Sequence, residues 1–153
     1  MTLMAPLSWG ELIDRITILT IKVNKLSDPA KRQNAAKELA ALVAVQDAKM
    51  ASPPAALAGL RGELEAVNRR LWDIEDRIRE HERDKRFDDG FIALARSVYH
   101  QNDARGALKR KIDVACGSDI IGEKEYAAYD RTTAPRSEEH TSELQSHHDL
   151  VCR

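Results

Sequence analysis

Apolar residues recur at alternating spacings of three and four along most of this chain, which is the period of an amphipathic helix. The first such stretch runs from Trp9 to about Leu26, with its apolar stripe at Leu12, Ile16, Leu19, Val23 and Leu26. Ser8 and Glu11 have the spacing of a capping box, which predicts that the helix begins here. Asp28-Pro29 ends this helix and supplies the start of a second, over roughly Pro29 to Met50.

The most regular pattern lies in a third predicted helix, where apolar residues repeat over about three heptads, as in a coiled-coil-like seam. These residues are Leu57, Leu60, Leu64, Val67, Leu71, Ile74 and Ile78. A turn is expected at Phe87–Gly90, followed by a fourth helix from Phe91 to Ala115 with Gly117 as its C-cap. One or two further helical turns are expected around Glu123–Tyr129.

The predicted fold class is therefore all-α. Because the turn after the third helix is only about four residues long, helices three and four are expected to fold back on each other. The pattern predicts an antiparallel helical bundle that contains a coiled-coil-like hairpin of these two helices.

Two polar residues, Asn102 and Arg105, fall inside the apolar stripe of the fourth helix. Burying either without a partner is costly, so both need partners. If the hairpin folds about Asp88-Asp89, Asn102 lies opposite Glu75 and Arg105 opposite Trp72, which could stack on the guanidinium. The sequence therefore predicts one polar layer of five residues between the third and fourth helices: Trp72, Glu75, Arg79, Asn102 and Arg105.

This polar layer has more than one interpretation. A buried polar pair in a helical bundle fixes the alignment of the helices at some cost in stability. Alternatively, Arg79 and Arg105 supply the charge of a pocket for a small anion. A catalytic role, or a layer that is not buried at all, is the third possibility.

The first helix raises a separate question, because Ile18 and Ile21 lie on the back of its stripe with Asp14 among them. A helix that is apolar nearly all round is either central in its bundle or covered by a partner chain. A homodimer through Ile18 and Ile21 is one expectation. Glu11 and Asp14 could contribute to a divalent-metal site, but a capping role for Glu11 and a surface ion pair for Asp14 form the simpler interpretation.

Residues 136–153, RSEEHTSELQSHHDLVCR, resemble a translated frame of a short-read sequencing adapter. We expect them to be a non-native, disordered tail and residues 1–135 to form a single helical domain. The tail holds three of the five histidines and one of the two cysteines. Its His147, His148 and Cys152 therefore do not indicate a metal site, and no metal or cofactor is expected.

The amino-acid composition does not indicate a nucleic-acid or a membrane partner. The formal net charge is −1, and it becomes +1 without the tail, which carries two basic and four acidic residues. A nearly neutral chain does not suggest a nucleic-acid partner. No run approaches the roughly 20 apolar residues of a membrane span. Without the tail, Cys116 is the single cysteine, so no internal disulfide can form. The chain also lacks the pattern of a secretory signal, and the expected location is therefore the cytoplasm.

Four segments resemble an uncharacterised family of short bacterial helical proteins, a domain of unknown function. They are SWGELIDRITILTIK at 8–22, LWDIEDRIRE at 71–80, FIALARSVYHQNDARGALKRKID at 91–113 and GSDIIGEKEYAAY at 117–129. The resemblance implies a compact helical domain, sometimes found with glycosyltransferase-like or repeat proteins, and no established reaction. Its motifs include all five residues of the predicted polar layer.

Three functions follow as expectations. The first is a non-enzymatic helical interaction or accessory module, linked through the resemblance to bacterial surface-polysaccharide or glycosyltransferase systems. The second is a small anion-binding domain that uses Arg79 and Arg105. The third is a metal-dependent enzyme similar to all-α nucleotide pyrophosphohydrolases, which would require the Glu11/Asp14 pair to face acidic residues of the third helix. Those acidic residues are Asp73, Asp76 and Glu80.

Overall fold

The computed structural model describes residues 1–129, and within them the chain forms four helices without any strand. They are α1 (Trp9–Lys25), α2 (Pro29–Lys49), α3 (Leu57–Arg83) and α4 (Asp89–Ala115). The predicted all-α class is confirmed, and the ends of α1, α2 and α4 lie within about two residues of those expected. Helix α3 continues to Arg83, past Ile78, the last apolar residue of its predicted seam. Ser8 and Asp28 cap α1 and α2 as the sequence indicated.

The bundle is built around α1, which packs against each of the other three helices, whereas α2 packs against α1 alone. The helices α3 and α4 form the hairpin on the other side of α1. Nine buried apolar residues form the core: Leu12, Ile13, Ile16, Leu57, Leu64, Val67, Leu71, Leu108 and Ile112. The nearly all-round apolar character of α1 is thus explained by its central position.

This central position corrects one expectation about α1. Ile21 is only 1% exposed within the single chain, and Ile18 packs partly against the core. Ile21 therefore cannot present an open apolar face to a second copy of the chain. Helix α2, rather than a partner chain, covers the side of α1 that lies away from the hairpin.

The reversal between α3 and α4 is centred earlier than Asp88-Asp89, where the sequence predicted it. Lys85 adopts a φ of 54°, and the N–H of Arg86 donates to the carbonyl of His81, which is the pattern of a Schellman motif. Gly90 lies inside α4. Arg70 contacts Gln101, and His81 contacts Phe91. In the sequence, the midpoint of each pair lies within one residue of Arg86.

This shift in the turn changes which residues of the two helices face each other. Moving the centre from Asp88-Asp89 to about Arg86 displaces every α3–α4 pair by roughly five residues, which is more than one helical turn. The predicted alignment of Asn102 with Glu75 and of Arg105 with Trp72 was therefore wrong. The cause is local: Lys85 adopts the left-handed conformation and ends α3 before the predicted fold point at Asp88-Asp89.

After α4 the chain turns back along the outside of that helix. Gly117 has a φ of 61° and the N–H of Ser118 donates to the carbonyl of Asp113, which confirms the predicted C-cap. The expectation of helical turns around Glu123–Tyr129 was wrong, since residues 118–129 are not helical. Side-chain contacts to α4 hold this segment instead, with Glu123 bound to Arg110 and the Tyr129 hydroxyl bound to Asp103.

The predicted tail, residues 136–153, lies outside the described residues, so its expected disorder stays a prediction. Within residues 1–129, none of the helices combines the length and the apolar character that a membrane crossing requires.

Candidate functional site

The start of α1 is joined to the end of α4 by a complete set of capping bonds. The N–H of Trp9 donates to the Ser118 hydroxyl, and that of Gly10 donates to Asp113 Oδ1 at 2.6 Å. The N–H of Glu11 donates to the Ser8 hydroxyl, and that of Leu12 to the Ser8 carbonyl. The first amides of a helix usually lack partners. Here the protein itself satisfies them, so this helix start is not an open anion site.

Gly10 allows α1 and α4 to approach closely at this junction. A Cβ at position 10 would lie 2.4 Å from the carbonyl oxygen of Lys109, a backbone atom that could move only with its helix. The glycine of the SWGELIDR motif is thus needed for packing. The same close approach brings the N–H of Gly10 within hydrogen-bonding distance of the buried Asp113 carboxylate.

One turn further along α1, Asp14 is fully buried and connects three helices. Its Oδ1 accepts from Asn68 Nδ2 of α3 at 2.9 Å and from Arg105 Nε of α4 at 3.0 Å. Its Oδ2 accepts from Arg105 Nη2 at 2.5 Å, which completes a bidentate pair. Asn68 also donates to the Thr17 hydroxyl at 2.9 Å, and that hydroxyl donates to the Asp14 carbonyl.

Lys109 extends this network toward the surface. Its ammonium binds Glu11 Oε2 at 2.6 Å and lies 3.8 Å from Asp14 Oδ2. Partial burial raises the pKa of the Glu11 carboxyl, but Lys109 and Arg15 together outweigh that effect and lower the pKa below its ordinary value. Alternating charges therefore run from the bundle interior to its edge: Arg105, Asp14, Lys109, Glu11 and Arg15.

The predicted polar layer is real in part, but its members have different partners. Arg105 is mostly buried as expected, yet it binds Asp14 of α1 and not Glu75. Asp14 was expected to form a surface pair, and this was wrong. Glu75 is buried and binds Arg79 four residues later on the same helix, while the Arg79 side chain is 64% exposed. The five residues do not form a single layer because the hairpin register differs from the one assumed.

Trp72 is buried in α3, as its place beside the apolar seam suggested. Asn68 of α3 and Arg105 of α4 donate to the same oxygen of Asp14, so these two residues lie at the same height in the bundle. Trp72 is four residues, or about one helical turn, further along α3 than Asn68. It therefore lies about one turn from the position at which stacking on Arg105 was expected.

Three enclosed side-chain oxygens have no hydrogen-bond partner in the described part of the chain: Gln46 Oε1, Asn68 Oδ1 and Asn102 Oδ1. Of these three residues, Asn102 lines a cleft of about 490 Å³ between α4 and the returning segment 118–129. The lining residues are Ser8, Glu11, Asn102, Asp103, Gly106, Ala107, Lys109, Arg110, Asp113, Gly122, Glu123, Lys124 and Tyr126.

Of the buried polar residues that matter here, Thr17, Asn68 and Asp113 were not selected from the sequence, and Asp14 was considered only as a metal ligand or as part of a surface pair. Asp14 had a usable signal, since it stands among Ile13, Ile16 and Ile21 on a helix with little polar surface. Asn68 lies beside Val67 in the α3 seam, but a single amide next to a seam is too common to be diagnostic. Asp113 gave no signal, because its partner is a backbone amide about a hundred residues away.

The acidic residues of the proposed enzyme alternative do not converge. Asp14 is buried and bound to Arg105, whereas Asp73 is exposed and bound to Lys25 at 2.5 Å. Among residues 1–129, no three histidine, cysteine, aspartate or glutamate side chains are grouped closely enough to hold a metal ion. Cys116 packs partly against the core, and burial followed by the Asp113 charge raises the pKa of its thiol.

Comparison with known proteins places these features in a family. No curated protein and no solved structure matches the chain. A model of a family of unknown function matches residues 3–146, which includes all four helices and the returning segment and extends past Pro135. The match covers far more than half of the sequence, so this chain belongs to that family of unknown function, DUF6165.

Proposed function

We propose that this protein is a non-enzymatic helical interaction module. The proposal rests on the buried carboxylates, whose hydrogen-bond donors come from the protein itself. Asp14 accepts hydrogen bonds from Asn68 and Arg105, and Asp113 accepts one from Gly10. Catalytic acids and bases need an open approach and a pKa matched to proton transfer. These carboxylates instead join α1 to α3 and α4, as structural groups do.

The metal-dependent enzyme alternative receives no support from the carboxylate positions. It requires acidic side chains of α1 and α3 to converge on one ion. Asp14 and Asp73 are each engaged by a different cation, one inside the bundle and one at its surface.

The anion-binding alternative loses its predicted pair of cations. Arg105 is engaged by a buried carboxylate, and Arg79 by Glu75. An anion at either guanidinium would compete with a carboxylate already in place, and removing that partner would leave a buried charge uncompensated.

A direct test is turnover. The full chain is incubated with magnesium and each nucleoside triphosphate, and release of phosphate or pyrophosphate is measured beside an Asp14→Asn variant. We expect no rate above the buffer control for either protein. Turnover by the wild type that disappears in the variant would refute the interaction-module proposal.

A homodimer remains part of the proposal, through a surface other than Ile21. Sedimentation velocity over a range of protein concentrations tests it, because a self-associating chain sediments faster as its concentration rises. A sedimentation coefficient that stays at the monomer value throughout would leave a different protein as the partner.

A further inference from the structure

Asn102 is a polar residue in the apolar stripe of α4. Buried polar side chains nearly always have a hydrogen-bond partner, and an exception calls for an explanation. The enclosed side-chain oxygens of Gln46, Asn68 and Asn102 have no hydrogen-bond partner within residues 1–129. Of these three residues, Asn102 is the one that lines the cleft beside α4. The amide torsion of asparagine is soft, so a modest rotation turns either its oxygen or its N–H groups toward the cleft.

The cleft beside Asn102 has the size of a small-molecule site. Its volume of about 490 Å³ falls in the range typical of ligand pockets. One wall is α4, the other is the returning segment, and the start of α1 closes one end with Ser8 and Glu11. Gly106, Ala107 and Gly122 contribute little side-chain bulk to the lining, which leaves room for an occupant.

The charges of the cleft select the kind of occupant. Its cations are Lys109, Arg110 and Lys124, and its anions are Glu11, Asp103, Asp113 and Glu123. Lys109 binds Glu11, and Arg110 binds Glu123. A charged ligand, or a zwitterion, would have to break these pairs, at a cost that offsets the new contacts.

Hydroxyl groups avoid that cost. A hydroxyl donates one hydrogen bond and accepts others, so it can bridge a carboxylate and an ammonium that are already paired. Bonds to charged partners are also stronger than those between neutral groups. The asparagine amide, with a donor end and an acceptor end, fits two neighbouring hydroxyls in the same way.

A peptide ligand fits less well. Peptide sites combine backbone hydrogen bonds with pockets for apolar side chains. The lining here is mostly charged, and Tyr126 is its single aromatic ring.

We propose that the cleft between α4 and segment 118–129 binds a small uncharged polyhydroxy molecule, with the Asn102 amide as its central contact. This proposal goes beyond the interaction function, because it assigns a ligand class to a cleft that the interaction function does not use.

The experiment follows the backbone amides of Gly106 and Gly122 by ¹⁵N NMR of the full chain. D-Glucose, D-mannose, myo-inositol and glycerol are each titrated to about 100 mM, since weak ligands of this size bind in the millimolar range. Sodium phosphate, glycine and diglycine serve as anionic, zwitterionic and peptide comparators. We expect saturable shifts from at least one polyhydroxy compound and weaker or no shifts from the three comparators.

The Asn102→Ala variant separates ligand binding from folding. Because the amide oxygen has no hydrogen-bond partner among residues 1–129, removal of the side chain should leave the thermal midpoint within about 2 °C of wild type, while weakening polyhydroxy binding at least about tenfold. Gln101→Ala is the matched control, since Gln101 binds Arg70 and does not line the cleft. It should keep wild-type affinity.

Four results would overturn the proposal. One is no saturable shift from any of the four compounds. Another is equal affinity in Asn102→Ala. The third is stronger binding of phosphate, glycine or diglycine at the same amides. The last is a large loss of thermal stability in Asn102→Ala, which would show that the amide has a structural role.

Discussion

Asp14 is the residue at which the three main helices of this protein meet. A carboxylate with no exposed surface is stable only when donors surround it, and here Asn68 and Arg105 provide them. Such a network is costly to bury, and it penalises any packing that separates its members. The network therefore specifies how α1 is placed on the α3–α4 hairpin.

The first prediction concerns this pair. Asp14→Ala and Arg105→Ala should each lower the free energy of unfolding by about 3 to 5 kcal/mol, because either change leaves a buried group unpaired. The double variant should lose clearly less than the sum of the two single losses. Chemical denaturation of all three variants measures the coupling.

Two controls accompany this double-mutant cycle. Lys25→Ala removes a surface pair with Asp73 and should cost no more than about 1 kcal/mol. Glu75→Ala combined with Arg105→Ala should be additive within about 0.5 kcal/mol, because these side chains do not pair. Strong coupling between Glu75 and Arg105 would restore the register expected from the sequence.

The second prediction concerns acid. The pKa of Glu11 lies below its ordinary value of 4.5 in the folded protein, so its ionised form stabilises the fold above that pH, and the contribution is lost as the pH falls through the folded-state pKa. Glu11→Gln should therefore lower stability at pH 7, by about 1 kcal/mol or less because the side chain is partly exposed. The difference from wild type should shrink as the pH falls below 4.5.

Urea denaturation at several pH values measures this effect. Glu82→Gln serves as the control, since Glu82 pairs with Lys85 at the exposed turn, where substitution should have little effect. A wild-type advantage over Glu11→Gln that grows on acidification would contradict the assigned direction of the pKa shift.

At the scale of the elements, the crossing of α1 and α4 depends on one missing side chain. Gly10→Ala should destabilise the protein by at least about 1 to 3 kcal/mol, because its Cβ would meet the backbone of Lys109 and force the helices apart. Loss of the Gly10–Asp113 bond adds to this cost. Thermal or urea unfolding gives the magnitude.

Gly62→Ala in α3 is a matched substitution with the opposite expected sign. Its Cβ would meet nothing within 4 Å, so the higher helix propensity of alanine should stabilise the protein by about 0.5 to 1 kcal/mol. If Gly62→Ala destabilised the protein as much as Gly10→Ala does, the effect at position 10 would reflect the replacement of a helical glycine and not the close approach of α1 and α4.

The hairpin turn shows how far local sequence signals extend. The short turn after α3 predicted the hairpin, and the seam residues Leu57, Leu64, Val67 and Leu71 do lie in the core. The turn was predicted at Phe87–Gly90, with the hairpin folding about Asp88-Asp89. It begins earlier, where Lys85 adopts a positive φ and the N–H of Arg86 donates to the carbonyl of His81. Residue propensity could not reveal this position, because lysine seldom adopts a positive φ.

In the whole molecule, α2 is the least supported helix. It packs against α1 alone, and of its residues only Ala35 is fully buried. We predict that α2 amides exchange with solvent through an opening that leaves the rest of the bundle folded. Hydrogen exchange followed by NMR should show lower protection in α2 than at Ile13 and Ile16 of α1. Equal protection throughout would mean that α2 unfolds only with the core.

The sequence by itself determined four helices, most of their ends, much of the apolar core and the cap at Gly117. These follow from periodicity and capping, which act between residues a few positions apart. It also marked Asn102 and Arg105 as polar residues on an apolar face. Only the tertiary structure decided their partners, because those partners lie on another helix and depend on the turn centred near Arg86. A shift of a few residues there placed Arg105 beside Asp14 and left Asn102 Oδ1 without a hydrogen-bond partner among residues 1–129.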